Sequence, residues 1–267
     1  MSNLEDAALL MTVLLCASGL GLFVRPLLSE RHRSRETADL VQLVVTMLVT
    51  FAALVLGLLI TSAKASFDAI DTDMRGYASD LIELNRMLNE YGPDTKPMQQ
   101  ALRSYTAAAI ATTWTEEPPP PGDYYPKTVQ RISTDADIES SGLGDMLANI
   151  EVRLRELVPP DAMHQRLLGD CLNQFKRVLD QRWKLIEEAH SSISLPFYLV
   201  LIFWLAIAFG SFGLSAPRNA LSYATILLGA LAIASAVVVI LDLDTPFTGT
   251  LVVSSRPMRD ALAHLSQ

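Results

Sequence analysis

Gln42, Thr46, Thr50, Ala53, Gly57 and Thr61 recur at steps of four, four, three, four and four residues. On an α-helix that spacing gathers them into one longitudinal stripe, because residues three or four apart stack on the same face. The chemistry open to such a stripe is that of hydroxyl, amide and bare-backbone dipoles carrying no charge. It can replace part of the hydration shell of a passing ion, or it can let neighbouring helices approach closely and share hydrogen bonds. Both readings stand at this level. A second group is Asp242, Asp244, Pro246 and Phe247, two carboxylates followed by a proline-aromatic turn that ends at Gly249. Such a group can contact a cation, pair with an arginine of a neighbouring element, or anchor the end of a helix.

Other constellations are missing. His32, His164, His190 and His264 are scattered, with no metal-ligand spacing among them. Asp135, Asp137 and Glu139 form a short acidic run, but Gly142 falls too late for the sharp turn of an EF-hand loop. Cys16 and Cys171 give neither a disulfide framework nor a metal site, and both read as free thiols. No phosphate loop and no Ser-His-Asp arrangement is visible. The expectation is therefore a protein that is not an enzyme, with no catalytic residue, no metal and no cofactor.

The elements that must carry these residues announce themselves through the distribution of charge. The chain has 267 residues, a net charge of −8 and a mean hydropathy of +0.29. Four stretches, 7–24, 40–62, 195–214 and 221–241, contain no Asp, Glu, Lys or Arg. Each is long enough to cross a hydrocarbon core of roughly 30 Å at roughly 1.5 Å per residue. That excludes a wholly soluble enzyme, a disordered tail and a secreted disulfide scaffold. The first stretch has Glu5 and Asp6 before it and Arg25-Pro26 after it, without the basic start and small-residue cleavage site of a signal peptide, so it is expected to be a retained helix.

Arginine placement sets the expected orientation. Arg25, Arg31, Arg33 and Arg35 stand between the first two spans and Arg218 between the last two, whereas residues 1–6 have no basic side chain. The positive-inside rule puts both short turns in the cytoplasm, so that both termini and the long insert face outward. Lys64, Lys184, Arg256 and Arg259 weigh the other way.

The insert, 63–194, has 14 basic and 21 acidic residues, which argues against a nucleic-acid partner. Phe67, Ile70, Met74, Tyr77, Leu81, Leu84, Leu88 and Tyr91 alternate steps of three and four, the seam of a helix packed lengthwise on others. Nothing interrupts the chain between the second span and this seam, so one helix is expected to run through to Gly92-Pro93. Asp94 is expected to cap a following helix faced by Met98, Leu102, Tyr105, Ala109 and Thr112, and the four prolines 118–121 close that region. A third helix carries Leu143, Met146, Ile150, Leu154 and Leu157. A fourth, capped by Asp161, carries Leu168, Cys171, Phe175, Val178, Trp183 and Ile186, and it enters the third span through Ser194-Leu195-Pro196. The fold class is all-α: a four-span transmembrane protein with a helical-bundle insert between spans two and three. Its organisation divides into a first hairpin at 1–62, the bundle at 63–194, a second hairpin at 195–241 and an interfacial carboxy-terminal segment at 242–267. Within the spans, Ala206 with Gly210 and Ala232 with Ala236 are small-residue pairs suited to close packing.

The residues Ser194 to Phe197, Phe203-Trp204, Phe209 to Leu214 and Ala216 to Ala220, together with the turn from Asp242 to Gly249 and Pro257 to Leu262, resemble the bestrophin-like family of bacterial membrane proteins. That family is distantly similar to bestrophins, which are pentameric anion channels with a helical insert between spans two and three. The resemblance implies a multi-pass protein of the bacterial inner (plasma) membrane and a homo-oligomer, with a pentamer as the assembly that the likeness to bestrophins suggests. Its second span would line an axial path for small anions, with Gln42, Thr46, Thr50, Phe51, Gly57, Leu58 and Thr61 facing it. Pro246-Phe247 resembles the turn before the calcium-binding acidic cluster of bestrophins. No acidic run follows here, so calcium gating is not carried over. Bestrophins also keep their insert in the cytosol, opposite to the side that the arginines indicate. The alternative function is a non-conducting, membrane-anchored binding, sensing or scaffold protein whose bundle holds a partner.

Overall fold

A helix continues as long as its sequence offers no breaker and its apolar stripe stays in phase, and both conditions hold from Arg35 to Tyr91. In the computed structural model, which describes residues 2–27, 35–127, 141–189 and 195–266, this segment is one helix of 57 residues. Among the described residues eight α-helices run in the order α1 Ser2–Val24, α2 Arg35–Tyr91, α3 Lys96–Thr113, α4 Ser141–Arg155, α5 Ala162–Ala189, α6 Leu195–Ser215, α7 Ala220–Asp244 and α8 Arg256–His264. No strand occurs among the described residues. The chain forms two compact units, one of residues 1–66 and 192–245, the other of 67–191 and 246–267.

Among the described residues four helices, α1, α2, α6 and α7, are long and apolar enough to cross a membrane, and the first unit holds α1, α6, α7 and the first part of α2. Its inner contacts are made by Leu10, Leu14, Ala52, Leu201, Leu205, Phe209, Ala230 and Val237. Large apolar side chains such as Leu43, Leu54, Phe203 and Leu228 point outward instead. An apolar exterior is the arrangement that hydrocarbon, not water, stabilises. α1 packs along α6 and, less extensively, along α7. The α1–α6 approach is backbone to backbone: a Cβ on Gly213 would stand 2.0 Å from the Ser18 carbonyl oxygen, and one on Gly21 would stand 2.1 Å from that of Gly210. Only glycine permits this crossing, where dispersion contacts replace the hydrophobic effect that lipid does not supply.

The second unit is a helical bundle. The seam expected on α2 is its centre, with Ile70, Met74, Tyr77, Leu81, Leu84, Leu88 and Tyr91 all buried. Facing residues are Leu102 and Tyr105 of α3, Leu143, Leu147, Ile150 and Leu154 of α4, and Phe175, Val178 and Leu185 of α5. Each fully buried leucine contributes about 1.5–3 kcal/mol. α2 ends where Gly92 takes a φ of +122° ahead of Pro93. The next helix starts one residue later than Asp94 would have it: Thr95 is its N-cap, and the Thr95 hydroxyl donates back to the carbonyls of Gly92 and Leu88. Asp161 does cap α5, accepting the His164 backbone N–H at 2.8 Å. The cap expected at Ser194 lies outside the described residues.

On α5 the phase differs from expectation at one point. Trp183 is 58% exposed, and Arg182 is buried in its place. From Val178 the face advances by four to Arg182 and by three to Leu185, whereas a step of five carries Trp183 out of the stripe. Residues after α7 join the bundle core through Phe247, Val253, Met258, Ala261 and Leu262.

Candidate functional site

Among the seven residues expected to face an axis, Gln42, Thr46, Thr50, Phe51, Gly57, Leu58 and Thr61 are all exposed on the chain. The opposite side of α2 is occupied by Val45 and Ala52, with Val55, Leu56 and Leu59 partly buried beside them. Within the exposed surface the seven fall into two files. Gln42, Thr46, Thr50, Gly57 and Thr61 follow one. Phe51 and Leu58 follow another, with Val44, Met47 and Leu54, about a third of a turn away at 100° per residue.

Hydrogen bonding separates the files further. Thr46, Thr50 and Thr61 each donate their hydroxyl to the carbonyl four residues earlier, at 2.8 Å. The hydroxyls are thus satisfied within α2. Gln42, Thr46 and Thr50 also border a cavity of about 370 Å³ whose other wall is Ser211, Phe212 and Ser215 of α6. Phe51 leans on Trp204 of α6, ring centroids 6.3 Å apart and 50° between planes, and is 50% exposed.

At the end of α7, Asp242 is buried and Asp244 partly so, and both engage other groups of the chain. Thr245 donates its hydroxyl to the Leu241 carbonyl. Pro246 and Val253 then close a loop, the Val253 N–H donating to the Pro246 carbonyl at 2.8 Å. Phe247 meets the Trp114 ring edge-on at 5.8 Å, and the Trp114 indole N–H donates to the Val253 carbonyl at 2.7 Å. Nearby, Glu117 accepts from both Ser255 and Arg259, and Arg259 also donates to the Pro118 carbonyl. The proline segment is therefore tied to α8. It is tied to α3 as well, since Ser104 donates to the Tyr124 carbonyl and Arg103 stacks over the Tyr124 ring.

Among the described residues no three His, Cys, Asp or Glu side chains come together in a metal-binding group. His164 bonds Asp161 and stands edge-on to Tyr91, and His264 is exposed on α8. His32, His190, Asp135, Asp137 and Glu139 lie outside the described residues. Both cysteines are free. Cys171 is buried, and desolvation, reinforced by Asp170 and Glu90, pushes its thiol up to about 11, so it is a poor nucleophile at neutral pH.

One cluster escaped sequence reasoning. The Tyr77 and Tyr105 hydroxyls meet at 2.5 Å inside the bundle, and Arg182 bonds Tyr105. Burial holds both phenols above their ordinary range, so they stay protonated and link α2, α3 and α5. The available signal was the helical phase of Arg182, which places it inside whatever its charge.

Residues 11–258 match the sequence signature of the bestrophin-like domain. The fold is similar to that in a crystal structure of a bacterial bestrophin homologue from Klebsiella pneumoniae carrying a tryptophan-to-alanine mutation. The TM-score is 0.62 at 16% identity, and the match covers 100% of this chain and 99% of that one. No curated protein matches the sequence.

Proposed function

We propose that this chain, which belongs to the bestrophin-like family and is a channel-like membrane protein, assembles with copies of itself around a path for small anions lined by α2. The observation that carries this reading is how little of α2 the chain itself covers. The most apolar window of that helix is 11% buried, against 28% for α1 and α6 and 22% for α7. A helix with a file of hydroxyls and no charge over 40–62, left open by its own chain, is suited to face an axis between copies. A pentamer is the assembly implied by the resemblance to bestrophins.

The two files then have different work. Gln42, Thr46, Thr50, Gly57 and Thr61 supply dipoles, and a threonine hydroxyl can leave its own helix carbonyl to donate to an anion. Phe51 and Leu58 narrow the path, and a phenyl edge, the positive rim of the ring quadrupole, tolerates an anion better than a cation. Asp242, Asp244, Pro246 and Phe247 act as a structural anchor for the end of α7 and the turn that follows it.

Purified protein in liposomes should pass chloride. Thr50→Val and Phe51→Ala should each change the flux severalfold and in opposite directions, the first removing dipoles and the second widening the path. A stable oligomer silent under several lipid and salt conditions overturns conduction. A monomer or dimer without a central axis supports the non-conducting binding role instead. The arginine-rich turns support cytoplasmic placement of residues 25–39 and 215–220 in an inner membrane, with the bundle outside.

A further inference from the structure

α6 and α7 are joined by a short turn, yet at that end they stand apart. α1 packs on both of them, and the glycine contacts of Gly21 and Gly213 draw α6 against α1. The space left between α6 and α7 is a cleft of about 560 Å³, walled by Phe209, Phe212, Leu221 and Ile226, with Ser215 and Ala216 at the turn. That volume falls within the roughly 300–1,000 Å³ of small-molecule sites. Its floor is open at Gly229, where an added Cβ would meet only the tip of Phe209 at 3.7 Å. Thr225, which borders the cleft, donates its hydroxyl to the Leu221 carbonyl, so the walls present little unsatisfied polarity.

The rim is cationic. Arg25 donates to the Ala216 carbonyl, at the wall of the cleft, and Arg218 is exposed in the turn itself. From 195 to 241 Arg218 is the single charged residue. Among the described residues the acidic side chains at this end, Glu36 and Asp39, belong to α2, which meets α6 across the other cavity.

We propose that this cleft seats an acyl chain of an anionic phospholipid whose phosphate is paired with Arg25 and Arg218. An apolar slot with a positive mouth, cut into a unit whose surroundings are hydrocarbon, matches a ligand with an apolar tail and a negative head. Basic rims between membrane helices select acidic lipids by that complementarity. The inference rests on the membrane placement of the first unit and is independent of conduction.

The test is native mass spectrometry of the full chain in detergent, titrated with phosphatidylglycerol or with phosphatidylcholine of the same chain length. One phosphatidylglycerol per chain should be retained, with phosphatidylcholine roughly tenfold weaker or more. The double variant Arg25→Gln/Arg218→Gln should abolish that preference, and Thr225→Trp, which fills the cleft, should remove binding of both lipids. Size-exclusion profile and helical content, unchanged from the parent, qualify each variant. Should Thr225→Trp fail to fold, the arginine variant decides alone. Equal retention of the two lipids, or full preference in the arginine variant, overturns the proposal. Efficient disulfide trapping between copies through Thr225→Cys also overturns it, by assigning the cleft to a second copy.

Discussion

A guanidinium inside a helical core has to find acceptors, and Arg182 finds one in the Tyr105 hydroxyl, which in turn meets that of Tyr77. Replacing Tyr105 by Phe removes the middle member and leaves two buried polar groups short of a partner. The expected cost is about 1–3 kcal/mol, read as an earlier unfolding midpoint by circular dichroism in detergent. An unchanged midpoint would mean that the cluster contributes nothing. Glu188 makes a second residue-scale prediction. Burial first, then the hydrogen bond and negative charge of Asp73, raise its carboxyl above the usual range, with Lys184 opposing. A carboxyl raised in the folded state binds more protons there than in the unfolded chain, so its contribution to stability grows as pH falls through the folded value. The unfolding midpoint should therefore rise as the pH is lowered from neutral towards the ordinary carboxylate range, and Glu188→Gln should raise it at neutral pH and flatten the slope. The pairing of Glu188 with Asp73 was not legible in the sequence, because 115 residues of chain separate them and only the bundle brings them together.

At the scale of elements, α2 shows how far local rules reach. An uninterrupted three-four spacing and the absence of Pro and Gly pairs made a single helix of about 85 Å readable from the sequence alone. The close packing of α6 was half legible. Ala206 and Gly210 marked it as a small-residue helix, but the tightest approach is at Gly213 and its partner is α1, which no local pattern names. Gly213→Val should force α1 and α6 apart, since even its Cβ would overlap the Ser18 carbonyl. The expected result is a severalfold loss of monodisperse protein on size exclusion. Gly19→Val, at a position with nothing within 4 Å of an added Cβ, should leave recovery unchanged. Equal behaviour of the two variants would show that the crossing does not depend on glycine.

For the molecule as a whole, sidedness is the property that divides the arginine pattern from the likeness to bestrophins. Cys171 is too buried to report it, so Asn173→Cys, exposed on α5, is the better probe. With the bundle outside, a membrane-impermeant maleimide should label it in intact cells. Labelling only after lysis would place the bundle in the cytosol. Some properties of the whole were decided by sequence alone: four spans, an all-α bundle and the apolar seam of α2. These follow from charge exclusion and helical period, which are properties of neighbouring residues. Other properties came only with tertiary structure. They include the α1–α6 crossing through Gly21 and Gly213, the burial of Arg182 in place of Trp183 and the joining of Trp114 to Val253. The exposure of the α2 stripe and the two cavities bordered by α6, one towards α2 and the other towards α7, belong with them. Each depends on which distant helices touch, and that is set by shape, volume and hydrogen-bond satisfaction summed over the packed chain, quantities that no window of neighbouring residues contains.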